Sequence, residues 1–415
     1  MTVLITGGSG FLGRRAAAYL KSLGFRILTP SHGELDITDR EAVLAWFREN
    51  RPEAVIHTAA VSDTGLCQQK PEWSERINVD GCVHLAESCR EIGAKLLICS
   101  SDQVYSGSAF PGPHKEGETV TPNNVYGSQK LRAEQKCLEI LPETVCLRLS
   151  WMYARVSDPG ERGNFLTTLK AALADETKVL TWPIHDRRGI TDVEAVVKNL
   201  PAALNLPGGV YNFGAENDAN TYETVGSVLE TLKLEAARDR LVPNEEAFAG
   251  NPRDLSMDLT KLREAGIHFP TTKQCLLEAL KGRKSMTLYI CLDDRKGLTF
   301  NNRRQSRDRA VLEDILSRCR GKLVIDPFSE KLIREAEIPY VLLPETGEDF
   351  FAETIPSDDM LEQTQKLVIY RWNRHYPADV RWDPDLDALG FVLRETADFP
   401  GTSHEKITRE VYERC

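Results

Sequence analysis

Three polar residues in the first third of the chain have the types and spacing of a proton-transfer site. Tyr126 and Lys130 lie four residues apart, so a helix that begins near Asn124 places both on one face. A phenol with a reference pKa of about 10 is a poor acid-base catalyst at neutral pH unless a nearby positive charge favours its ionised form. Ser101 follows the apolar run 96–99, which predicts a buried strand that ends at the ligand-binding edge of a sheet. A Tyr-x-x-x-Lys pair on an exposed helix face is the alternative.

The glycines at the start of the chain predict a site for the pyrophosphate of a dinucleotide. An apolar run, residues 2–6, leads into Gly7, Gly10 and Gly13, and an apparent helix over residues 14–23 follows. Gly7 allows a sharp turn, Gly10 lets backbone amides approach the phosphates, and Gly13 lets the helix pack close to the strand. On its own, a glycine triplet also fits an ordinary strand-to-helix turn.

The elements that must position these residues alternate along the chain. Apolar runs predict strands near residues 2–6, 25–29, 53–57, 95–99 and 144–149, with helices such as 39–50 between them. This alternation predicts an α/β fold of the Rossmann type, with a doubly wound parallel sheet. The pattern from 151 to 282 is less regular and predicts a small substrate-binding subdomain. Residues 1–282 are therefore expected to form one NAD(P)-binding domain.

The order and spacing of these motifs resemble the extended short-chain dehydrogenase/reductase family, and most closely its dTDP-4-dehydrorhamnose reductase (RmlD-like) and sugar-nucleotide group. The resemblance covers residues 1 to about 282. Besides Tyr126 and Lys130, it is carried by the stretches TGGSGFLG at 6–13, LDITD at 35–39, IHTAA at 56–60, INVDG at 77–81 and SSDQVY at 100–105. It implies an oxidoreductase that uses NAD(P)H to reduce a nucleotide-linked 4-keto sugar.

The resemblance also implies catalytic roles. Tyr126 would protonate the substrate carbonyl oxygen as hydride arrives from the nicotinamide, Ser101 would hydrogen-bond that oxygen, and Lys130 would hold the nicotinamide ribose. Hydride transfer creates an alkoxide, which two positioned donors stabilise. Asp102 completes the predicted catalytic set. Related dehydratases carry Asp-Glu where this chain has Asp102 and Gln103, so elimination of water is not expected.

By the same resemblance, the cofactor contacts extend along the first 130 residues. Asp36 and Ile37 lie where the family contacts the adenine, and Ala59 and Ala60 lie in a loop behind the cofactor. The full predicted set is Gly7, Gly10, Phe11, Leu12, Gly13, Arg14, Ser31, Asp36, Ile37, Ala59, Ala60, Asn78, Tyr126 and Lys130.

The end of the predicted second strand bears on the choice of nicotinamide cofactor. Residues 25–32 contain no carboxylate, which would accept the ribose 2′-hydroxyl and repel a 2′-phosphate. Ser31 can bond a phosphate, and Arg14 or Arg15 can supply positive charge. We predict NADP(H) as the preferred cofactor and NAD(H) as the alternative, in which case the two arginines are solvated helix residues.

Four residues beyond position 150 are candidate contacts to a nucleotide-sugar substrate: Trp151, Asn164, Arg187 and Arg188. A guanidinium matches phosphate oxygens bidentately, although an arginine pair is also a common surface feature.

Two other functions stay open on the same scaffold. One is a sugar-nucleotide epimerase, and the other is a non-catalytic, NADP-binding regulatory subunit.

Residues 286–415 are predicted to form an appended α/β domain of unknown function. A short basic stretch, 281–286, precedes a new apolar strand at 287–292, and Met286 resembles a former start codon, which indicates a gene fusion. Further strands are expected at 322–325, 340–343 and 366–370, with a helix at 308–319.

Trp372 and Tyr376 lie among arginines that can bind a nucleotide or phosphate by charge and stacking. The alternative is that Trp372 is a structural residue. This part resembles a small bacterial family sometimes labelled ribonuclease Z, yet it lacks that enzyme class's His-x-His-x-Asp-His metal cluster.

The composition sets limits on location and partners. The chain has 415 residues and a formal net charge of −10, which disfavours broad nucleic-acid binding by the first domain and leaves that of the second open. No membrane span or export signal is recognisable, so we expect a cytoplasmic protein without membrane contacts. The 10 cysteines are scattered and include no Cys-x-x-Cys pair, so reduced thiols and no metal site are expected. The resemblance implies a homodimer through helices that flank the sheet, although those apolar faces can equally be core.

Overall fold

The computed structural model describes residues 1–155, 163–281, 286–319, 322–342 and 349–414. The chain divides into two compact units, Met1–Leu280 and Lys281–Cys415. The predicted junction at 282–285 lies outside the described residues. Within the described ranges, no helix is both long and apolar enough to cross a bilayer.

The first unit contains twelve described strands and twelve described α-helices, together with a π-helix at Arg76–Asp80 and a 3-10 helix at Asp102–Tyr105. The strands are β1 (Thr2–Thr6), β2 (Arg26–Leu28), β3 (Ala54–His57), β4 (Lys95–Ser101), β5 (Val145–Leu149), β6 (Trp151–Tyr153), β7 (Leu180–Pro183), β8 (Asp186–Arg188), β9 (Ile190–Asp192), β10 (Gly209–Phe213), β11 (Leu241–Asn244) and β12 (Arg253–Leu255). The helices are α1 (Phe11–Ser22), α2 (Arg40–Asn50), α3 (Thr64–Gln69), α4 (Pro71–Glu75), α5 (Gly81–Ile92), α6 (Val125–Ile140), α7 (Phe165–Ala174), α8 (Val193–Ala203), α9 (Thr221–Thr231), α10 (Glu235–Asp239), α11 (Thr260–Glu264) and α12 (Thr272–Lys281).

The main sheet of this unit is parallel, with strand order β10-β5-β4-β3-β1-β2. Successive residues of β1 pack into opposite cores. Val3 and Ile5 join residues of α1 and α8, whereas Leu4 joins residues of α2 and α5. Burial on both faces explains why these strands are continuous apolar runs in the sequence. The predicted Rossmann-type sheet is confirmed. Because the chain leaves β1 and β3 in opposite directions, a ligand crevice opens between their carboxyl ends.

The segment 151–281 serves two purposes. Helix α8 and strand β10 return to the main sheet, which the irregular sequence pattern did not predict. The remaining strands form three parallel pairs, β6 with β9, β7 with β11, and β8 with β12. Strands β6, β7, β9 and β11, together with helices α7, α9 and α12, enclose a third core around Phe165 and Leu229.

A buried ion pair holds helix α6 against the main sheet. Glu134 lies on the same helix face as Tyr126 and Lys130, at successive four-residue steps. Its carboxylate accepts Nη2 of Arg148, on β5, at 2.7 Å, and it also accepts the hydroxyl of Ser100, on β4. Both charged side chains are almost completely buried. The helix that carries the predicted catalytic residues is therefore fixed to the two strands beside it.

The second unit has its own sheet and cores. Its strands are β13 (Met286–Leu292), β14 (Gly297–Phe300), β15 (Arg303–Arg304), β16 (Leu323–Ile325), β17 (Tyr340–Leu342), β18 (Asp349–Ala352), β19 (Thr364–Arg371), β20 (Val380–Arg381), β21 (Phe391–Phe399) and β22 (Ile407–Arg414), and its helices are α13 (Arg309–Arg318), α14 (Glu330–Glu335) and α15 (Asp358–Gln363).

The large sheet of the second unit has the order β17-β16-β18-β13-β19-β22-β21. The first five strands in this order are parallel, and β22 and β21 extend the sheet antiparallel. Strands β14, β15 and β20 form a small separate sheet. Residues packed on both faces form two cores. Residue 343, the end of one predicted strand, lies outside the described residues, and the exposed strand β21 had no recognisable apolar run.

Replacing Glu134 by Gln tests the ion pair. The change leaves Arg148 buried without a counter-charge, which typically costs about 3–5 kcal/mol. We expect the Tm of the first unit to fall by about 6–12 °C, measured by calorimetry on the full chain. The control is Glu91→Gln, which breaks the exposed pair with Arg48 (2.6 Å) and should shift Tm very little. Equal shifts in the two variants would contradict the structural role of Glu134.

Candidate functional site

The glycine-rich turn between β1 and α1 is closed so tightly that side chains do not fit. Gly7 has φ +70°, and a β-carbon on it would lie 2.7 Å from the backbone nitrogen of Ala59. A β-carbon on Gly13 would lie 2.2 Å from the carbonyl oxygen of Gly7. Helix α1 starts at Phe11, no side chain caps it, and its first turn carries no acidic residue. Its amides therefore present a partial positive charge at the carboxyl end of β1, where a phosphate can bind.

The loops after β2 and β3 are fixed around this turn. Asp36 accepts the backbone amide and hydroxyl of Thr38, and these bonds lower its pKa. The carbonyl oxygen of Ile37 lies 2.9 Å from Nδ1 of His84. The buried Asn78 bonds both the amide and the carbonyl of Val61, just after Ala59 and Ala60. Asn78 thus supports the loop after β3, and its predicted contact with a cofactor stays a prediction.

A carboxylate that the sequence analysis missed lies in the loop after β2. One oxygen of Glu34 accepts both the backbone amide and the hydroxyl of Ser31, each at 2.7 Å. The amide bond is the larger of the two effects that lower the pKa of Glu34. Ser31 is the residue predicted to bind a 2′-phosphate, so its two donors already hold a negatively charged group. A serine followed three residues later by an acid, a common turn pattern, was the available signal.

Arg14 and Arg15 lie in the first turn of α1. The Nη1 atom of Arg15 donates to the carbonyl oxygen of Phe11 at 2.9 Å, and its guanidinium lies 4.6 Å from the centre of the Phe11 ring. Glu194 of α8 is 3.7 Å away. Arg15 therefore packs along its own helix, and Leu12 beside it is buried.

Ser101, Tyr126 and Lys130 come together at the carboxyl end of β4. Ser101 is the last residue of that strand, and α6 begins beside it because Asn124 caps the amide of Gly127 at 2.8 Å. Lys130 reaches back so that its Nζ donates to the carbonyl oxygen of Cys99 at 2.8 Å. The same Nζ lies 5.8 Å from the centre of the Tyr126 ring. The cap at Asn124 agrees with the predicted start of this helix.

Burial governs the protonation of this group. It raises the pKa of the Tyr126 phenol, and the charge of Lys130 and the hydroxyl of Ser101 act in the opposite direction. At neutral pH the phenol therefore carries its proton and can donate it. Burial by itself would lower the pKa of Lys130, but interactions with Tyr126 and neighbouring groups outweigh this effect and raise it. The ammonium thus stays charged next to the phenol.

Asp102, Arg188 and Trp151 form a second connected group next to Ser101. Nη2 of Arg188 donates to Oδ2 of Asp102 at 2.6 Å, and the guanidinium lies 5.2 Å from the centre of the Trp151 ring. Ser101 in turn donates to Oδ1 of Asp102 at 3.2 Å. Burial raises the pKa of Asp102 in spite of the arginine. Because Trp151 is 37% exposed, this group has one open face toward which a ligand can bind.

The other two predicted substrate contacts are used differently. Asn164 caps α7 through the amide of Thr167 and donates to the carbonyl oxygen of Ala154, so its amide is engaged within the fold. Arg187 is half-buried and lies 3.6 Å from Asp254. The roles of Asn164 and Arg187 toward a substrate stay predictions.

Comparison with known proteins places the first unit in a family. Residues 1–284 match the family model described as the RmlD substrate binding domain. The chain is 32% identical over 280 residues to a dTDP-4-dehydrorhamnose reductase of Streptomyces griseus, an alignment that spans 64% of this chain and 88% of that protein. It is 25% identical over 277 residues to the methionine adenosyltransferase 2 subunit beta of Pongo abelii, spanning 64% of this chain and 82% of that protein.

A solved structure shares the fold. The crystal structure of a dTDP-4-dehydrorhamnose reductase from Bacillus anthracis, in complex with NADP, superposes with a TM-score of 0.59 at 23% identity, covering 68% of this chain and 97% of that one. The chain belongs to the RmlD substrate-binding domain family, whose dTDP-4-dehydrorhamnose reductase members it resembles. The predicted family is therefore confirmed.

Removal of the Glu34 charge tests whether the loop after β2 affects the relative affinities for NADPH and NADH. If Ser31 binds the 2′-phosphate of NADPH, the Glu34 carboxylate competes with that phosphate for the same two donors and repels it, whereas it can accept the 2′-hydroxyl of NADH. We expect Glu34→Gln to tighten NADPH binding by about two- to fivefold relative to NADH, with a smaller effect at high salt.

Dissociation constants for both cofactors, measured by fluorescence titration, check this expectation. Glu49→Gln, an exposed carboxylate on α2, is the control and should change neither constant. An unchanged NADPH to NADH ratio in Glu34→Gln would contradict the role of Glu34.

Proposed function

We propose that the first unit is an NADPH-dependent reductase of a nucleotide-linked 4-keto sugar. The observation that carries the proposal is the grouping of Ser101, Tyr126 and Lys130 at the carboxyl end of β4, beside an uncapped helix N-terminus that follows a glycine-rich turn. Membership in the RmlD family supports the substrate class.

The nicotinamide cofactor, when bound, supplies the hydride. The residues fit such a cofactor, because Gly7 and Gly13 place no side chain at the turn before α1, and a β-carbon at either position would collide with neighbouring backbone. The amides at the start of α1 would hold the pyrophosphate, and Lys130 would hold the nicotinamide ribose. Ser31 would bind the 2′-phosphate once Glu34 turns away. NADH is the alternative cofactor, and it would leave the Glu34 bonds intact.

Tyr126 acts as the general acid in this proposal. Its phenol is protonated because burial raises its pKa, and it donates this proton to the substrate oxygen as negative charge develops there. Ser101 provides a second hydrogen bond to the same oxygen. Lys130 then stabilises the resulting tyrosinate, and its bond to the Cys99 carbonyl keeps the ammonium in place.

The Asp102, Arg188 and Trp151 group would orient the substrate. Arg188 lies between the acid and the indole ring, so its planar cation is held in one orientation. We therefore assign Arg188 a positioning role through Asp102 and Ser101, and Trp151 a packing contact with the sugar.

Replacement of Tyr126 by Phe tests the reductase. Loss of the phenolic proton should lower kcat by about 100-fold or more while leaving NADPH affinity intact. The assay follows NADPH oxidation at 340 nm with dTDP-4-keto-6-deoxy sugars as substrates. The control is Tyr19→Phe, which removes a phenol on α1, away from the β4 edge, and should retain full activity.

The similarity to a methionine adenosyltransferase subunit beta favours one second candidate, a non-catalytic NADP-binding regulatory subunit. Such a subunit would bind NADPH but turn over none of the sugars. Its effect on a partner enzyme would then survive Tyr126→Phe. Sugar-dependent NADPH oxidation that is lost in this variant would exclude this candidate.

A further inference from the structure

The second unit gathers polar side chains at the carboxyl edge of its parallel strands. Asp293 follows β13, Glu353 follows β18 and Trp372 follows β19, and these three strands are neighbours in the sheet. All three side chains are buried. Ligands of open parallel sheets bind at this edge.

The segment 304–306 lies across this edge, and each of its three side chains has a polar contact in the second unit. Nη2 of Arg304 lies 3.1 Å from Glu353, and Nε2 of Gln305 donates to Asp293 at 3.3 Å. The third residue, Ser306, has its hydroxyl 3.3 Å from Nε2 of His404. The position of Ser306 is therefore fixed from both sides.

His404 is oriented by a buried carboxylate. Its Nδ1 lies 3.0 Å from Oδ2 of Asp308, and both side chains are at most 1% exposed. Backbone amides of Thr402 and Ser403 also donate to Asp308, and despite its burial its pKa lies well below the usual range. A carboxylate can only accept, so Nδ1 of His404 carries the hydrogen and Nε2 is the acceptor.

Two hydroxyls share that acceptor. The Tyr376 phenol lies 2.9 Å from Nε2 of His404, and the Ser306 hydroxyl lies 3.3 Å from it. The His404 ring stacks on Trp372, with ring centres 4.8 Å apart and planes 18° apart. Trp372 is buried, so it supports the histidine and is not available as a stacking platform for a base. Ser306 is only half-buried and can be reached from solvent.

We propose that Ser306, His404 and Asp308 form a nucleophilic centre in the second unit, in which Ser306 attacks a phosphoric ester. The arrangement is that of an activated serine: a hydroxyl next to the accepting nitrogen of a histidine whose other nitrogen is held by a carboxylate, with the Tyr376 phenol on the same accepting nitrogen. Two exposed arginines, Arg303 and Arg374, flank the segments that carry Ser306 and Tyr376, which suits an anionic substrate. The proposal is independent of the reductase in the first unit.

The reaction conserves atoms and charge. The Ser306 oxygen forms a bond to phosphorus while its proton passes to Nε2 of His404, and the bond from phosphorus to the leaving oxygen breaks. His404 returns the proton to that leaving oxygen. Water then attacks the phosphorus and gives a proton to Nε2 of His404, and the bond from phosphorus to the Ser306 oxygen breaks. His404 returns this proton to Ser306, and the phosphate is released. Asp308 stabilises the imidazolium that forms in each half of the reaction.

A fluorophosphonate probe tests the nucleophile, because Ser306 would displace its fluoride and keep the phosphonyl group. The full chain is incubated with the probe, and peptide mass spectrometry locates the label. We expect one label per chain, on Ser306, and none in Ser306→Ala. Ser317→Ala, which removes an exposed hydroxyl on α13 that donates to the carbonyl oxygen of Asp314, is the control and should keep the label.

Two further variants separate an activated serine from a purely structural network. His404→Gln should slow labelling by about 100-fold or more. Tyr376→Phe keeps the ring but leaves Nε2 of His404 to Ser306 alone, so labelling should persist or accelerate. Calorimetry on each variant establishes that the second unit is folded. A folded wild-type chain without label, or with label only on Tyr376, would overturn the proposal.

The substrate class is tested by bis(p-nitrophenyl) phosphate, whose hydrolysis releases a coloured phenol. Turnover that disappears in Ser306→Ala and persists in Tyr126→Phe supports the assignment and locates it in the second unit. A chain that hydrolyses p-nitrophenyl acetate through Ser306 but leaves the phosphate diester intact would overturn the phosphoric ester as substrate.

Discussion

The buried pair of Glu134 and Arg148 is the constraint on which the first unit depends. Removing two charges from water is costly, so the pair is tolerated only where its geometry is fixed and its remaining hydrogen bonds are made. Here Ser100, on β4, donates to Glu134, and Tyr105, at the end of the 3-10 helix Asp102–Tyr105, accepts from Arg148. The same pair ties α6 to β4 and β5. Lys130 and Tyr126 lie about one and two helical turns before Glu134, so their position relative to Ser101 depends on where the Glu134 charge is neutralised.

Both units use the carboxyl edge of parallel strands, but they prepare it for different chemistry. In the first unit the edge combines an uncapped helix N-terminus with a buried phenol and ammonium, which suits an anionic cofactor and a developing alkoxide. In the second unit a negatively charged Asp308 orients a histidine toward hydroxyls. Under the two proposals, the first arrangement would stabilise negative charge on a substrate, whereas the second would take a proton from the hydroxyl of Ser306.

Electrostatic pairing within the fold changes the roles that the sequence predicted for several residues. Arg188 looked like a free guanidinium for a diphosphate, yet it neutralises Asp102 and stacks on Trp151. Ser31 looked like an open phosphate ligand, yet Glu34 occupies its donors. In each case an internal charge stands where a ligand group was expected. Ligand binding there would have to displace or reuse an existing bond, which makes these positions sensitive to the ligand's charge.

The sequence by itself determined the Rossmann-type sheet, the glycine turn and the Ser101, Tyr126 and Lys130 group. These features depend on local patterns: apolar runs buried on both faces, glycines where no side chain fits, and a four-residue helical step. Only the tertiary structure decided that β10 returns to the main sheet, that Glu34 folds back onto Ser31, and that Ser306 meets His404 from 98 residues away. Such contacts either join segments that are far apart in sequence or depend on the direction of one side chain. A local sequence pattern predicts neither.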